Sequence, residues 1–458
     1  MKENPTCFTG KLFSVANKHY FYNTISGEIE PVTKTVASIL NNYRNSHGGC
    51  DIPRDNPKAK DVRPIIKNPY NDAVINKTLN SKLRLLVLEL TAKCNMSCDY
   101  CISGQAYDQK DGVTALNMKE KTAIQGVDYL LNHSADQELP LAISFYGGEP
   151  LLRFPIIVKV AEYAVHEAKR KNREIVFSIT TNGTLLDKDI IEFFVKHAFQ
   201  IVISLDGPKT IHDRYRKYHH GGGTFDVVFN KLKLIKETDP EYFKKYVRCS
   251  TVLTSHQDFT ETETFLNNLG VKLLINHVDS YGLNLNTNKT QNNDYLPTLE
   301  NKLLSCIKSD GVEILNDSSG ERNFLISYMK PMLKRFIAPK PSSHYMSLGQ
   351  CILGASRLYL SSDNYYYPCE KLAGHSIARI GKIETGIDQN KVINLINQFY
   401  ELAKVKCAGC WMSSKCSTCL ALVCSGDYLD KKKFNHYCSG SKVWGLSALR
   451  IVSQVKHT

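Results

Sequence analysis

Residues 83–101 read LRLLVLELTAKCNMSCDYC. The first eight, Leu83 to Leu90, form an apolar run with the length and aliphatic content of a buried strand. Directly after it come Cys94, Cys98 and Cys101, a C-x3-C-x2-C spacing with Tyr100 just before the third cysteine. Three thiolates so placed can hold three corners of a cubane [4Fe–4S] cluster and leave the fourth iron without a protein ligand. A four-cysteine site is closed and suits structure or electron transfer. An open corner is how catalytic metal sites admit a small molecule. Zinc favours paired C-x2-C knuckles with four ligands, so zinc or scattered buried thiols fit this spacing less well.

Further along, Ala142 to Tyr146 reads as a strand running into Gly147-Gly148-Glu149-Pro150. A side chain at either glycine would block a close backbone approach. Ile175 to Thr180 leads into Thr181-Asn182-Gly183-Thr184, and Ile201 to Ile203 leads into Ser204-Leu205-Asp206-Gly207. Strand-like runs at 83–90, 141–146, 174–180, 199–205, 247–253 and 271–276 alternate with helical stretches such as Ile156 to Lys171. Six parallel strands with crossovers predict an α/β fold built on an open, partial (β/α)6 TIM-type barrel. Reactive groups on such barrels gather at the C-terminal strand ends. The cysteine loop and all three turn motifs fall there.

The far C-terminus carries Cys351, Cys369, Cys407, Cys410, Cys416, Cys419, Cys424 and Cys438, eight of the chain's 15 cysteines. Eight thiolates suffice for two complete four-cysteine sites, with two zinc knuckles as the alternative. Cys7, Cys50, Cys249 and Cys306 stand alone and read as small buried or surface residues.

In this order the motifs resemble the radical S-adenosylmethionine (SAM) superfamily, whose signature is C-x3-C-x-aromatic-C after the first barrel strand. The resemblance implies that Cys94, Cys98 and Cys101 hold a cluster whose open iron binds SAM, with Tyr100 at the aromatic position. It implies that Gly147, Gly148, Glu149 and Pro150 expose backbone groups to the SAM amino group, with Asn182 in the third strand-end motif of the same site. Ser204 and Asp206 would lie near the SAM carboxylate or ribose. Arg216, in HDRYR, is either a carboxylate partner of matching geometry or a solvated surface arginine.

The C-terminal cysteines resemble the SPASM domain, which carries two auxiliary [4Fe–4S] clusters. Asp363 to Cys369 resembles its opening hairpin. Asn364 stands where a glycine is usual, and Asn tolerates the left-handed conformation that the turn needs. The gap after Cys416 is x2 where x3 is usual, which leaves Cys419, Cys424 or both as ligands. The resemblance implies Cys407, Cys410, Cys416 and Cys438 on one cluster. It implies Cys351, Cys369, Cys419 and, as a further candidate, Cys424 on the other.

A function follows from the resemblance. SAM would be cleaved reductively to a 5′-deoxyadenosyl radical that takes hydrogen from a peptide or protein, and the auxiliary clusters would accept a second electron or bind a substrate thiolate. The expected activity is maturation of a ribosomally made precursor peptide by a thioether or other side-chain cross-link, with a flavodoxin or ferredoxin as electron donor. One alternative is an anaerobic sulfatase-maturing enzyme that generates formylglycine. Another, of a different class, is an iron–sulfur electron-transfer or zinc-binding protein, which has no need of the GGEP and SLDG runs.

Composition sets the outer bounds. The chain has 458 residues, 42% of them hydrophobic, enough for a large core and two or three domains. No run reaches the length of a membrane span, and the N-terminus has no apolar signal core. The expected location is cytoplasmic, where disulfides are rare and cysteines point to metal. Lysine and arginine exceed acidic residues by 13. That charge is dispersed, without an aromatic-interleaved stripe, so nucleic acid is not an expected partner, whereas an acidic peptide would be attracted.

Four segments result. Residues 1–80 form an N-terminal module, either peptide-binding or a lid packed on the barrel. Within it Leu12 to Val15 and His19 to Asn23 alternate as a hairpin, Thr24 to Glu28 reads as a turn, and Val32 to Tyr43 as a helix. A polar linker or loop spans 45–72. Residues 81–300 form the barrel, 301–345 linking helices, and 346–458 the auxiliary-cluster domain. His277 and Asp279, at the sixth strand's end, are candidates for substrate contact or proton transfer, or only satisfy local hydrogen bonds.

Overall fold

The computed structural model describes residues 10–15, 17–24, 27–46, 71–101, 116–134, 139–254, 258–277, 296–311, 323–337, 351–407 and 410–456. Cys7, Cys50, Asp279 and most of the polar 45–72 stretch lie outside them.

The chain opens with an antiparallel sheet of β1 (Gly10–Val15), β2 (Lys18–Asn23) and β3 (Ile29–Val32), followed by α1 (Lys34–Ser46). The β1–β2 turn is tight: Val15 pairs with Lys18, and Asn17 takes the left-handed conformation at φ 65°. Thr24–Glu28 instead joins β2 to β3, a strand that alternation does not reveal because Glu30 and Pro31 interrupt it. Pro31 is tolerated because β3 is an edge strand. Leu12 and Phe21 face Ala37 on α1, whereas Phe13, Tyr20 and Tyr22 join the main core. Tyr22 meets Phe336 at 5.9 Å and Trp411 at 6.4 Å between ring centroids. The sheet is thus clamped between α1 and the body of the protein.

After α2 (Asp72–Ser81) the barrel begins. Its strands are β4 (Leu85–Thr91), β5 (Leu141–Gly147), β6 (Ile175–Thr181), β7 (Gln200–Ser204), β8 (Val247–Leu253) and β9 (Lys272–His277). All six run parallel and pair in sequence order. The crossovers hold α3 (Glu120–Asn132), α4 (Phe154–Arg170), α5 (Lys188–Lys196), α6 (Lys209–Tyr215), α7 (Phe225–Thr238), α8 (Pro240–Tyr246) and α9 (Phe259–Asn267). Strand residues alternate. Leu86, Leu88, Ile143, Phe145, Phe177, Ile179, Ile201 and Ile203 are buried, and a stack of Phe145, Phe177 and Phe199 lies in this layer. The intervening Ser144, Tyr146, Ser178, Thr180, Val202 and Ser204 are only partly buried. A period of two on a helix-covered sheet leaves this second set on the inner wall.

Helices α10 (Leu296–Asp310) and α11 (Asn323–Ile337) follow. Next come β10 (Arg357–Leu360), β11 (Tyr365–Tyr367), β12 (Gly381–Lys382), β13 (Gly386–Ile387) and α12 (Gln389–Cys407). A short hairpin of β14 (Cys424–Ser425) and β15 (Tyr428–Leu429) precedes the long terminal helix α13 (Lys431–Lys456). Both α10 and α11 pack on α13, and α11 also packs on β9. Asn364 turns the β10–β11 hairpin at φ 70°.

One pairing is not visible in the sequence. Strand β10 lies parallel to β4, with Leu358 opposite Leu86 and Leu360 opposite Leu88. The cysteine-rich region therefore extends the barrel sheet to ten strands, in the order β13-β12-β11-β10-β4-β5-β6-β7-β8-β9.

Candidate active site

The site forms where the C-terminal ends of β4 to β8 meet. Gly148 donates its N–H to the Thr91 carbonyl at 2.8 Å, and Glu149 donates to the Lys93 carbonyl at 2.9 Å. The GGEP turn is thereby bolted to the strand that feeds the cysteine loop. Gly147 sits at φ 135°, and a Cβ there would lie 2.3 Å from the Thr91 oxygen. A Cβ on Gly148 would lie 2.2 Å from the Lys93 oxygen. In this structure the close approach that demands glycine is made by the protein's own backbone.

Glu149 is fully buried. Its carboxylate accepts from Thr181 Oγ1 at 2.7 Å, Asn182 N at 2.7 Å and Leu151 N at 3.0 Å. Burial nonetheless pushes its pKa up to about 7. Its side chain thus ties the end of β6 to the end of β5, and Pro150 continues into a single 3-10 turn that Glu149 caps. Asn182 donates its amide to Asn95 Oδ1 at 2.8 Å and towards Cys94 Sγ at 3.7 Å. Asn95 in turn donates to Thr184 Oγ1 at 2.9 Å. The Met96 N–H points at Cys94 Sγ at 3.4 Å, and His219 bonds the Cys94 carbonyl at 2.9 Å.

On the other side of the loop, Arg216 is buried rather than solvated. Its Nε donates to Asp206 Oδ2 at 2.9 Å, and its guanidinium lies over the Tyr100 ring and 4.0 Å from Cys98 Sγ. Tyr100 donates its hydroxyl to the same Asp206 oxygen, and Val252 N donates to Oδ1 at 3.0 Å. Burial pulls the Arg216 pKa down, but Asp206, with Tyr100 and Cys98, overrides this and holds it above its ordinary value. Burial pushes the Cys98 thiol up to about 12 against the pull of Arg216. Burial also raises Cys94. Ser204 stands at the end of β7 on the partly buried inner wall.

Two residues of this wall escape motif reading. Glu89, a lone acid in an apolar strand, accepts from Ser362 N at 2.8 Å and Ser362 Oγ at 3.0 Å. Burial raises its pKa. Tyr146, just before the glycines, is pushed up to about 12 by burial, and Glu370, Cys101, Arg216 and Glu89 all lie within its electrostatic range. The acid inside LRLLVLELT was the available signal for Glu89. His277 is solvent-facing and packs edge-on against Tyr328 at 5.0 Å and Trp444 at 5.8 Å.

The C-terminal cysteines gather in two sets. Cys407, Cys410, Cys416 and Cys438 line one pocket with Phe399, Met412 and Phe434. Burial pushes Cys407 up to about 12, with Cys410, Cys416 and Cys438 adding to it. Cys419 lies within electrostatic range of Cys351, Cys369 and Cys424, which burial raises to about 11, 12 and 12. Cys419 and Cys424 therefore share a neighbourhood, and Cys416 and Cys419, three residues apart, face different sets. Cys249 is buried in β8, and Cys306 is partly buried in α10.

The donors fit iron–sulfur clusters. All are sulfur, which is soft and suits iron–sulfur or zinc. Burial raises the shifted thiols against the pull of nearby Arg216, Lys433 and Lys442, and a metal cation within each set would favour thiolate far more strongly.

Residues 88–253 match the family model described as the Radical SAM superfamily. Over 160 residues the chain is 28% identical to a cysteine-type anaerobic sulfatase-maturating enzyme of Clostridium novyi, covering 35% of this chain and 42% of that protein. Over 320 residues it is 24% identical to the radical SAM cyclopropyl synthase TigE of Paramaledivibacter caminithermalis, covering 63% and 64%. The chain thus spans less than two thirds of either relative. The solved structure of native anSMEcpe with bound AdoMet and Kp18Cys peptide superposes with a TM-score of 0.60 at 23% identity, over 82% of this chain and 99% of that one. This is a likeness of fold.

Proposed function

We propose that this chain, a radical SAM enzyme, matures a ribosomally made precursor peptide by oxidative side-chain cross-linking, a thioether being the favoured bond. The observation that carries the reading is the company of the cysteine loop: two further sets of four cysteines gather in the C-terminal region, whose strands β10 to β13 continue the barrel sheet. TigE and the peptide-bound anSMEcpe structure lend support as relatives.

In this reading Cys94, Cys98 and Cys101 hold the SAM-binding cluster, and each quartet holds an auxiliary cluster. When bound, the cluster and SAM would supply one-electron radical chemistry able to take hydrogen from an unactivated carbon of the peptide. The protein's part is to orient and to exclude. Gly147 to Pro150 would expose backbone groups to the SAM amino group, and Glu149 holds that turn through Thr181 and Asn182. Asn182 and Met96 direct N–H groups at the Cys94 sulfur. Asp206 locks Arg216 and Tyr100 beside Cys98, leaving the remaining guanidinium nitrogens for a carboxylate. Ser204, at the end of β7, would lie near the SAM carboxylate or ribose. The N-terminal sheet, with β3 as an edge strand, offers a place for an extended leader. A flavodoxin or ferredoxin is the proposed electron donor.

A second reading, formylglycine formation, is favoured by the likeness to the C. novyi enzyme. One experiment separates them. Reconstituted enzyme, SAM and reductant are incubated anaerobically with a candidate precursor peptide, with a Cys94/Cys98/Cys101→Ala triple variant as control. A product lighter by a hydrogen pair per cross-link, unreactive to hydrazide and absent with the variant, supports the maturase. A hydrazide-reactive aldehyde on a sulfatase peptide supports the second reading. Cluster-loaded enzyme that neither binds nor cleaves SAM refutes both.

A further inference from the structure

Helix α11 brings Arg335 against the junction between the two cysteine quartets. Its Nη1 donates to the Cys416 carbonyl at 3.0 Å. Cys416 belongs with Cys407, Cys410 and Cys438, whereas Cys419 belongs with Cys351, Cys369 and Cys424. The span from Cys416 to Cys419 is therefore the seam, and Arg335 is fastened to it. The helix end is fixed in turn, because Leu333 and Phe336 are buried and Phe336 packs on Tyr22 at 5.9 Å.

Arg335 is partly buried, and burial lowers its pKa. Among the described residues no carboxylate pairs with it. A guanidinium withdrawn from water without an acid is costly. Its electrostatic partners are the Cys416 and Cys419 sulfurs, one from each quartet. The neighbouring cations divide differently. Lys442 lies near Cys407 and Cys410, Lys433 bonds the Cys424 carbonyl at 3.0 Å, and Arg357 lies near Cys351 while paired with Glu370. Each of these attends one set.

We infer that Arg335 is a positioning residue shared by both quartets, whose fixed charge raises the reduction potentials of the two auxiliary centres together. The inference rests on the proposed reading that each quartet holds a cluster. Reduction adds negative charge, so a nearby cation favours the reduced form and raises the potential. Coulomb attraction falls only as the inverse of distance, so one charge at a seam acts on both neighbours. Arginine keeps its proton throughout.

The test is potentiometric titration followed by electron paramagnetic resonance, on the full chain with reconstituted clusters. A Cys94/Cys98/Cys101→Ala background leaves only the quartets to observe. Iron is counted first. About eight irons per chain means that both quartets are loaded, and a shortfall in this background refutes the cluster reading itself. With both loaded, Arg335→Gln shifts both midpoint potentials to more negative values, and Arg335→Lys restores both. Lys442→Gln shifts one only. Arg335→Met, similar in length and without polar demands, serves if the glutamine variant holds less iron. Movement of one potential, or of neither, overturns the shared role, as does a lysine variant that behaves like the glutamine one.

Discussion

Glu149 accepts the backbone N–H of Asn182 at 2.7 Å, and the same Asn182 aims its amide at the Cys94 sulfur 3.7 Å away. A buried acid therefore stands one residue behind the cysteine loop. Its folded pKa is raised from 4.5 to about 7 by burial. A raised acid favours folding while protonated, so its contribution is full below the unfolded value and is lost as pH climbs through about 7. The span corresponds to roughly 3 kcal/mol. Urea unfolding of the apo protein across this range should show that fall, and Glu149→Gln should flatten it. An unchanged slope would remove Glu149 as its source.

Gly147→Ala and Gly148→Ala each put a methyl group against a carbonyl, 2.3 Å from Thr91 O and 2.2 Å from Lys93 O. At Gly147 the backbone conformation adds about 1–3 kcal/mol of strain. Both variants should lower the melting temperature and, on the proposed assignment of the clusters, cut the iron held by Cys94, Cys98 and Cys101 by about four atoms per chain with none lost from the quartets. Normal iron loading in either variant would mean that the loop tolerates separation from the GGEP turn.

Arg216 and Asp206 form a buried ion pair, with side chains only 9% and 2% exposed. Removing one partner strands the other. Arg216→Met should destabilise the apo protein by about 3–5 kcal/mol. The double variant Arg216→Met/Asp206→Asn should recover part of that loss, because no charge is then left unpaired. Additive losses in the double-mutant cycle would show the pair to be uncoupled.

On the proposed reading that each quartet holds a cluster, Cys419→Ala and Cys424→Ala should damage the same centre, and Cys416→Ala the other. Each should remove about four irons per chain, and the two paramagnetic signals should sort the variants into these groups. A Cys424→Ala protein with full iron would leave Cys419 to act without it.

Tyr22 holds the N-terminal sheet to the body through Phe336 and Trp411. Tyr22→Ala should cost about 3–5 kcal/mol, as deletion of a buried aromatic does. Limited proteolysis should then cut early within residues 10–46. An unaltered cleavage pattern would show that other contacts suffice to hold the sheet.

Much of this was legible in residues 83–101 and the strand ends that follow. The six parallel strands fall within a residue or two of their apolar runs, because each run gives one face to the core and is bounded by polar turns. Asn364 could be read as a left-handed turn residue because Asn pays little for that conformation. Two things were not legible. The pairing of β10 with β4 joins residues 272 positions apart, and nothing in either apolar run names its partner. Glu149 and Arg216 could be placed near the site, but their partners are other side chains, Thr181 and Asp206, brought together only by strand order.

The shared sheet has a mechanical consequence. Because β10 is hydrogen-bonded along β4, the cysteine loop after β4 and Cys369 after β11 hang from one hydrogen-bonded lattice. Strand β11 stands two places from β4, about 10 Å away at the usual spacing. Strand β11 runs antiparallel to β10, so Cys369 leaves the sheet at the end where β4 begins, opposite the cysteine loop. The length of β4, roughly 20 Å at the usual rise per residue, therefore stands between them as a rigid strut. Neither end can shift along the strands without carrying the other with it.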